Sequence, residues 1–452
     1  MELSNYIRQI RPALAASGAT GASFAYWDGV ELHSVVAGLR NSVTADPVTP
    51  DTVMHIGSIT KLFNTVLLLQ LVDERRLSLN DQVVKHVPEL RLRDARALER
   101  ITCAMLLNHT SGIDGDMLAD HGPDRERIED AIVRCAELGQ VHSPGEAASY
   151  CNIGTVIAGY LVQKLRATSW YNLIKSRIYQ PLGMQFALAD LTDLPRFRHS
   201  IGDLTDPATG RLVQTTRAFL PLSFAPAGAT PMMTAADLVT FGRALADGGL
   251  APNGARILST ALSASMMEPT AELLMPAMKV GLGWMLLPGG VLTHGGSVAG
   301  GAARLCVHPA SGHVVALLIN CDRKHAVAAV LDPIMESWTG NKLRPPVALS
   351  PTAAVDHDLY AGVYESGLMR AEVSRKKGDL TFRLIWKVRV LDNSPGLEDS
   401  PTVPLRPLDN HTFEARAPLP GFPNSLIRFV HPGPDRRMRF LATDGRLLPR
   451  AT

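Results

Sequence analysis

Val53-Met54-His55-Ile56-Gly57-Ser58-Ile59-Thr60-Lys61 is the stretch from which the rest of this chain is read. Gly57 precedes a run in which Leu62, Val66, Leu69 and Val72 recur at helical spacing, so a helix is predicted to begin near Ser58 and to close at Arg75 and Arg76. Positions i and i+3 share a helix face, which brings Lys61 one turn behind the Ser58 hydroxyl. A serine hydroxyl attacks a carbonyl carbon only once something takes its proton. A lysine can do this if burial or a nearby cation lowers its pKa, and the positive end of a helix works in the same direction. Taken alone, the tetrapeptide is weak and reads more simply as a helix-capping serine followed by a solvated lysine.

Outward from this stretch, Leu3, Ile7, Ile10 and Leu14 predict a first helix over 2–17. Residues 22–27 and 30–37 are β-rich and flank Asp28-Gly29, a hairpin pair. Helices are predicted over 101–107, 125–138 and 153–166, and another from Thr234, whose hydroxyl and Asp237 resemble a capping box. Strands follow over 280–286, 291–294, 302–307 and 314–319, then a helix over 325–338 despite Pro333. The expected class is α+β: an antiparallel sheet joining the two ends of the region, flanked by helices and an all-helical part. Pro345, Pro346 and Pro351 mark a linker over 341–357. Short strands over 369–374, 379–386, 411–416, 425–430 and 437–441 then predict a small all-β barrel over 358–452. Residues 1–340 form the larger, site-bearing domain in this reading.

Composition excludes some functions. A net charge of +2 gives no electrostatic case for nucleic acid or an anionic membrane. Apolar runs such as Val66–Leu69 and Val314–Ile319 fall far short of the roughly 20 residues that cross a bilayer. The start, Met1 to Arg8, lacks a basic segment followed by an apolar core, so a cytoplasmic location is expected. The five cysteines are scattered and odd in number, which reads as reduced thiols. No histidine or carboxylate cluster has ligand spacing, so neither metal nor cofactor is expected.

Two further clusters carry chemistry. In Tyr150-Cys151-Asn152 the phenol can relay a proton and the amide can position a lysine and bind an acyl group. In His294-Gly295-Gly296-Ser297 the glycines let a substrate approach the backbone, and the Ser297 N–H can join that of Ser58 as an oxyanion donor. His294 can bind a substrate carboxylate or tune the tyrosine. Each has a bland counterpart, a loop tyrosine and a glycine-rich turn.

The three clusters, in this order, resemble the penicillin-recognising serine hydrolases: class C β-lactamases, DD-peptidases of the penicillin-binding type, and related esterases and transacylases. Ser-x-x-Lys is a motif of that group; Tyr150-x-Asn152 and His294-x-Gly296 match its second and third motifs. Leu106 to Gly112, Ala227-Gly228, Thr234 to Leu238 and Gly281 to Trp284 add to the likeness. It implies an acyl-enzyme on Ser58, proton transfer shared by Lys61 and Tyr150, Asn152 positioning the lysine and the acyl group, and an oxyanion held by the amides of Ser58 and Ser297. His294 stands where most β-lactamases have lysine, which puts strong β-lactam hydrolysis in doubt. His109 looks structural, as the holder of a turn, and Cys151 looks like filler. The closing stretch from Arg437 to Arg450 resembles the lipocalin-like domain of penicillin-binding-protein-type thioesterases. The implied function is a serine acyltransferase or thioesterase. Its acyl donor is a small or peptide-like ester, thioester or amide, including a carrier-protein-bound thioester, and the acyl group passes to an amine or to water. Alternatives are a plain esterase or D-stereospecific peptidase, and a catalytically inactive scaffold on the same fold.

Overall fold

The computed structural model describes residues 3–451 except 117–126, 207–208, 274–277, 342–355, 377, 388–400, 410 and 418–425. Most of the linker expected over 341–357 therefore lies outside the described residues.

Nine antiparallel strands form the main sheet, in the order Asp46–Pro47, Leu32–Asn41, Gly21–Trp27, His313–Ile319, Gly301–His308, Val291–Val298, Met285–Leu287, Lys279–Val280, Ala271–Glu272. The first and last parts of this region meet at the sheet's centre, where Ala25 lies opposite Ala316. Side chains alternate between faces along a strand. Phe24, Tyr26, Val315, Leu317 and Ile319 pack on one face with the N-terminal helices and helix Lys324–Thr339. Ala25, Val314, Ala316 and Leu318 pack on the other with helices Thr60–Asp73 and Ala235–Ala246. A central strand buried on both faces reads as a continuous apolar run, which explains Val314–Ile319.

Helix Thr60–Asp73 is buried from Thr60 through Leu71, so its first turn is held by core packing on every side. The predicted first helix is broken into Leu3–Arg8 and Ile10–Ala16. Pro12 has no N–H for the Arg8 carbonyl, and its ring crowds that group. The Asp28-Gly29 hairpin has a four-residue loop, because the Asp28 carboxylate accepts from the Val30 and Glu31 N–H groups and holds a wider turn. The strand predicted over 280–286 is two short strands split by a turn in which Gly281 N–H donates to the Trp284 carbonyl at 2.9 Å.

The C-terminal region is a nearly closed eight-stranded barrel, running in chain order from Gly362–Glu365 to Arg446–Pro449. Its edges meet where Ala451 N–H donates to the Val363 carbonyl at 2.8 Å. Tyr364, Phe382, Phe413 and Phe429 fill its interior. All five cysteines are free and buried.

Candidate active site

Ser58 lies on a tight turn, Gly57–Ile59, that leads directly into helix Thr60–Asp73. The Thr60 hydroxyl donates to the Gly57 carbonyl at 2.7 Å and locks the turn. Gly57 has φ +52°, in the left-handed region. Strand Val291–Val298 pairs with Gly301–His308 from Leu292 to its end, but with Met285–Leu287 only through Thr293. Its free edge beyond Thr293 lies against the Ser58 turn. The approach is close: a β-carbon on Gly296 would fall 1.9 Å from the Ile56 carbonyl oxygen. A β-carbon on Gly57 would fall 2.6 Å from the Ser297 nitrogen. This contact carries the Ser297 backbone to the nucleophile's turn, and Gly295 and Ser297 remain exposed.

Lys61 is 2% exposed. Its Nζ contacts Asn152 Oδ1 at 2.7 Å, the Ala227 carbonyl oxygen at 2.9 Å and Ser58 Oγ at 3.1 Å. Burial pushes its pKa down to about 7; Asp116 opposes the shift and Arg446 adds to it. A neutral amine has two hydrogens and one lone pair. Carbonyl oxygens cannot donate, so the two hydrogens go to Asn152 and Ala227. The lone pair is left for the Ser58 hydroxyl, which is the arrangement of a general base.

Tyr150 shares a side-chain hydrogen bond with Ser58 and is half-buried. Its ring centroid lies 4.9 Å from Lys61 Nζ, 5.0 Å from the Arg446 guanidinium carbon and 4.5 Å from the His109 ring. Burial holds its phenol well above the usual range. Tyr150 is thus suited to donate a proton, and Lys61 to accept one. His109 adopts φ +61°, and its Nδ1 accepts from the Cys151 N–H at 3.3 Å. It supports the Tyr150 segment as well as its own turn.

His294 is buried 6.5 Å, ring to ring, from Tyr150, and burial lowers its pKa to about 3. A neutral imidazole offers no cation to a substrate carboxylate. Its Nδ1 meets the Gly295 carbonyl at 2.7 Å. Cys151 is buried, with its thiol pushed up to about 12, so it stays protonated.

Sequence reasoning missed three partners. The Ala227 carbonyl sits in a stretch noted for its likeness alone. Asp116 accepts from Asn152 Nδ2 at 2.7 Å and from the Asn152 N–H at 3.3 Å. Arg446, from the barrel, donates through Nε to the other Asp116 oxygen. The turn pair Asp444-Gly445 could have predicted a hairpin with Arg446 beside its tip, but no spacing ties that tip to residue 116. Among the described residues, no group of side chains is arranged to hold a metal ion.

A family model described as Beta-lactamase matches residues 7–336. Penicillin-binding protein 4 of Amycolatopsis lactamdurans is 34% identical over 309 residues, covering 66% of this chain and 80% of that protein. The crystal structure of SurE superposes with a TM-score of 0.78 at 25% identity, covering all of both chains. That of a D-stereospecific amidohydrolase from Streptomyces sp. gives a TM-score of 0.60 at 26% identity, covering 75% of this chain and 99% of that one.

Proposed function

The chain belongs to the Beta-lactamase family, and on that premise we propose that it is a serine acyltransferase that loads a peptide-like acyl group onto Ser58 and passes it to an amine or to water. The observation that carries this reading is the Lys61 ε-amine, with its two carbonyl partners and its contact to Ser58 Oγ at 3.1 Å. Lys61 takes the Ser58 proton as Oγ attacks the carbonyl carbon of an amide, ester or thioester. The oxyanion forms toward the Ser58 and Ser297 amides, whose fixed dipoles stabilise the developing charge. The carbonyl re-forms as the bond to the leaving nitrogen, oxygen or sulfur breaks. Tyr150 protonates the departing group and takes in return the proton that Lys61 removed from Ser58. An amine or water then attacks the ester by the same steps in reverse, which returns the proton to Ser58.

One feature supports transfer to an amine. The barrel covers the Tyr150 flank, where the Tyr150 N–H donates to the Gly445 carbonyl at 2.9 Å, and a covered acyl ester meets water less readily. A thioester on a small thiol or a carrier protein is the expected donor. Plain hydrolysis is the second reading, favoured by likeness to the D-stereospecific amidohydrolase.

The test supplies a peptidyl thioester with and without an amine acceptor. The expected result is an aminolysis product that grows with acceptor concentration at the expense of free acid. Free acid alone at every acceptor concentration removes the transfer reading and leaves hydrolysis.

A further inference from the structure

We propose that Asp116 and Arg446 form a positioning pair that decides which end of the Asn152 amide faces Lys61, an inference that rests on the reading of Ser58 and Lys61 given above. The two ends of an asparagine amide are nearly alike in shape but opposite in hydrogen bonding. Asp116 removes the ambiguity. Its carboxylate only accepts, and it takes both the Nδ2 and the main-chain N–H of Asn152, at 2.7 and 3.3 Å. Oδ1 is therefore turned to Lys61, at 2.7 Å. A flipped amide would set its oxygen against the carboxylate and its NH2 against the lysine. Lys61 would then spend its lone pair on Asn152, and none would remain for Ser58.

Arg446 completes the device from the barrel. Its Nε donates to Asp116, and Asp444 anchors its Nη1, at 3.4 Å from the Asp444 carbonyl and 3.6 Å from the carboxylate. The Asp116 side chain is 8% exposed, so without Arg446 a buried carboxylate would stand unbalanced near Lys61. Among the described residues, the titratable groups facing Lys61, with the hydrogen-bonding Asn152, come from five elements. They are Ser58 on its own turn, His109 and Asp116 from the 108–116 segment, and Tyr150, Cys151 and Asn152 from the next. His294 comes from strand Val291–Val298, and Arg446 from the barrel. Burial keeps both histidines and the thiol uncharged. Of these groups Asp116 and Arg446 carry the formal charges, and they act on Lys61 with opposite signs.

Opposite signs give a test that a merely structural role would not pass. The pH dependence of kcat/KM is measured for the full-length protein, Asp116→Asn, Arg446→Gln and the double variant, since its acid limb reports the base of the free enzyme. Loss of Asp116 moves the limb to lower pH, loss of Arg446 moves it to higher pH, and the double variant returns it toward that of the parent. Asp116→Asn also lowers kcat by about ten- to a hundredfold, the usual scale for losing a group that orients a reacting side chain. If both single variants move the limb in one direction, or leave it in place, the proposal is overturned. Should Asp116→Asn fail to fold, the upward shift in Arg446→Gln alone decides. Ser58→Ala separates the two readings. Turnover that survives it removes the nucleophile assignment and this pair with it; a dead Ser58→Ala beside limbs that do not move apart removes the pair alone.

Discussion

At the scale of the residue, Lys61 and Tyr150 divide the proton work because burial acts oppositely on a cation and on an anion. Removing water lowers the lysine's pKa to about 7 and raises the phenol's, so near neutrality the lysine gives up its proton while the phenol keeps its own. This division yields a substrate-dependent expectation for Tyr150→Phe, which keeps the ring over Lys61 and Arg446 and removes the hydroxyl. An amide's nitrogen must be protonated as it leaves, whereas a thiolate departs unaided. Steady-state rates should fall by about a hundredfold or more for an amide and by much less for a thioester. Equal losses for both would show that Tyr150 does not protonate the leaving group. Ser58, Lys61, Tyr150 and Asn152 were legible as candidates because motif order and chemistry single them out. Asp116 and Arg446 were not, since each is an ordinary charged residue until the fold joins positions that lie 330 apart in the chain.

At the scale of the element, the site is the contact between one turn and one strand edge. Glycine would ordinarily end a strand prediction at His294, yet Val291–Val298 runs on through Gly295, Gly296 and Ser297. The two glycines differ sharply. A β-carbon on Gly296 meets the Ile56 carbonyl oxygen, while one on Gly295 finds only the Ala303 oxygen, 3.8 Å away. Gly296→Ala should push the strand off the Ser58 turn, lowering the thermal midpoint and abolishing acylation. Gly295→Ala should melt like the parent. Thermal melts of the two proteins side by side check this, and equal midpoints would mean that the close approach is not what holds the strand. Other elements escaped sequence reading for local reasons. Strands Gly362–Glu365, Val403–Pro407 and Arg446–Pro449 are only four or five residues long, too short to show a period.

At the scale of the whole molecule, the barrel is part of the site. Its interior is filled by aromatic side chains, so its contribution to the chemistry lies on its rim. Phe440, Ala442 and Leu447 pack on Val141, Arg439 pairs with Glu146 at 2.7 Å, and the Leu447 N–H donates to the Ser149 hydroxyl at 3.1 Å. Gly367 N–H donates to the Asp114 carboxylate at 2.7 Å. Short strands and turn residues made a barrel legible, but not where it docks, because docking is set by surface complementarity, which has no period in the sequence. Everything assembled there serves one act, the loss of the Ser58 proton to an uncharged lysine. The most direct measurement is the pH dependence of fluorophosphonate labelling, followed by the intact mass of the full chain. The expected result is a single adduct on Ser58 whose rate of formation rises as pH climbs through about 7 and then levels, as Lys61 loses its proton. Lys61→Arg, which keeps a cation that cannot deprotonate, should label slower by roughly a thousandfold. Labelling at another residue, or a Ser58 rate that ignores both pH and the Lys61→Arg change, would contradict the account.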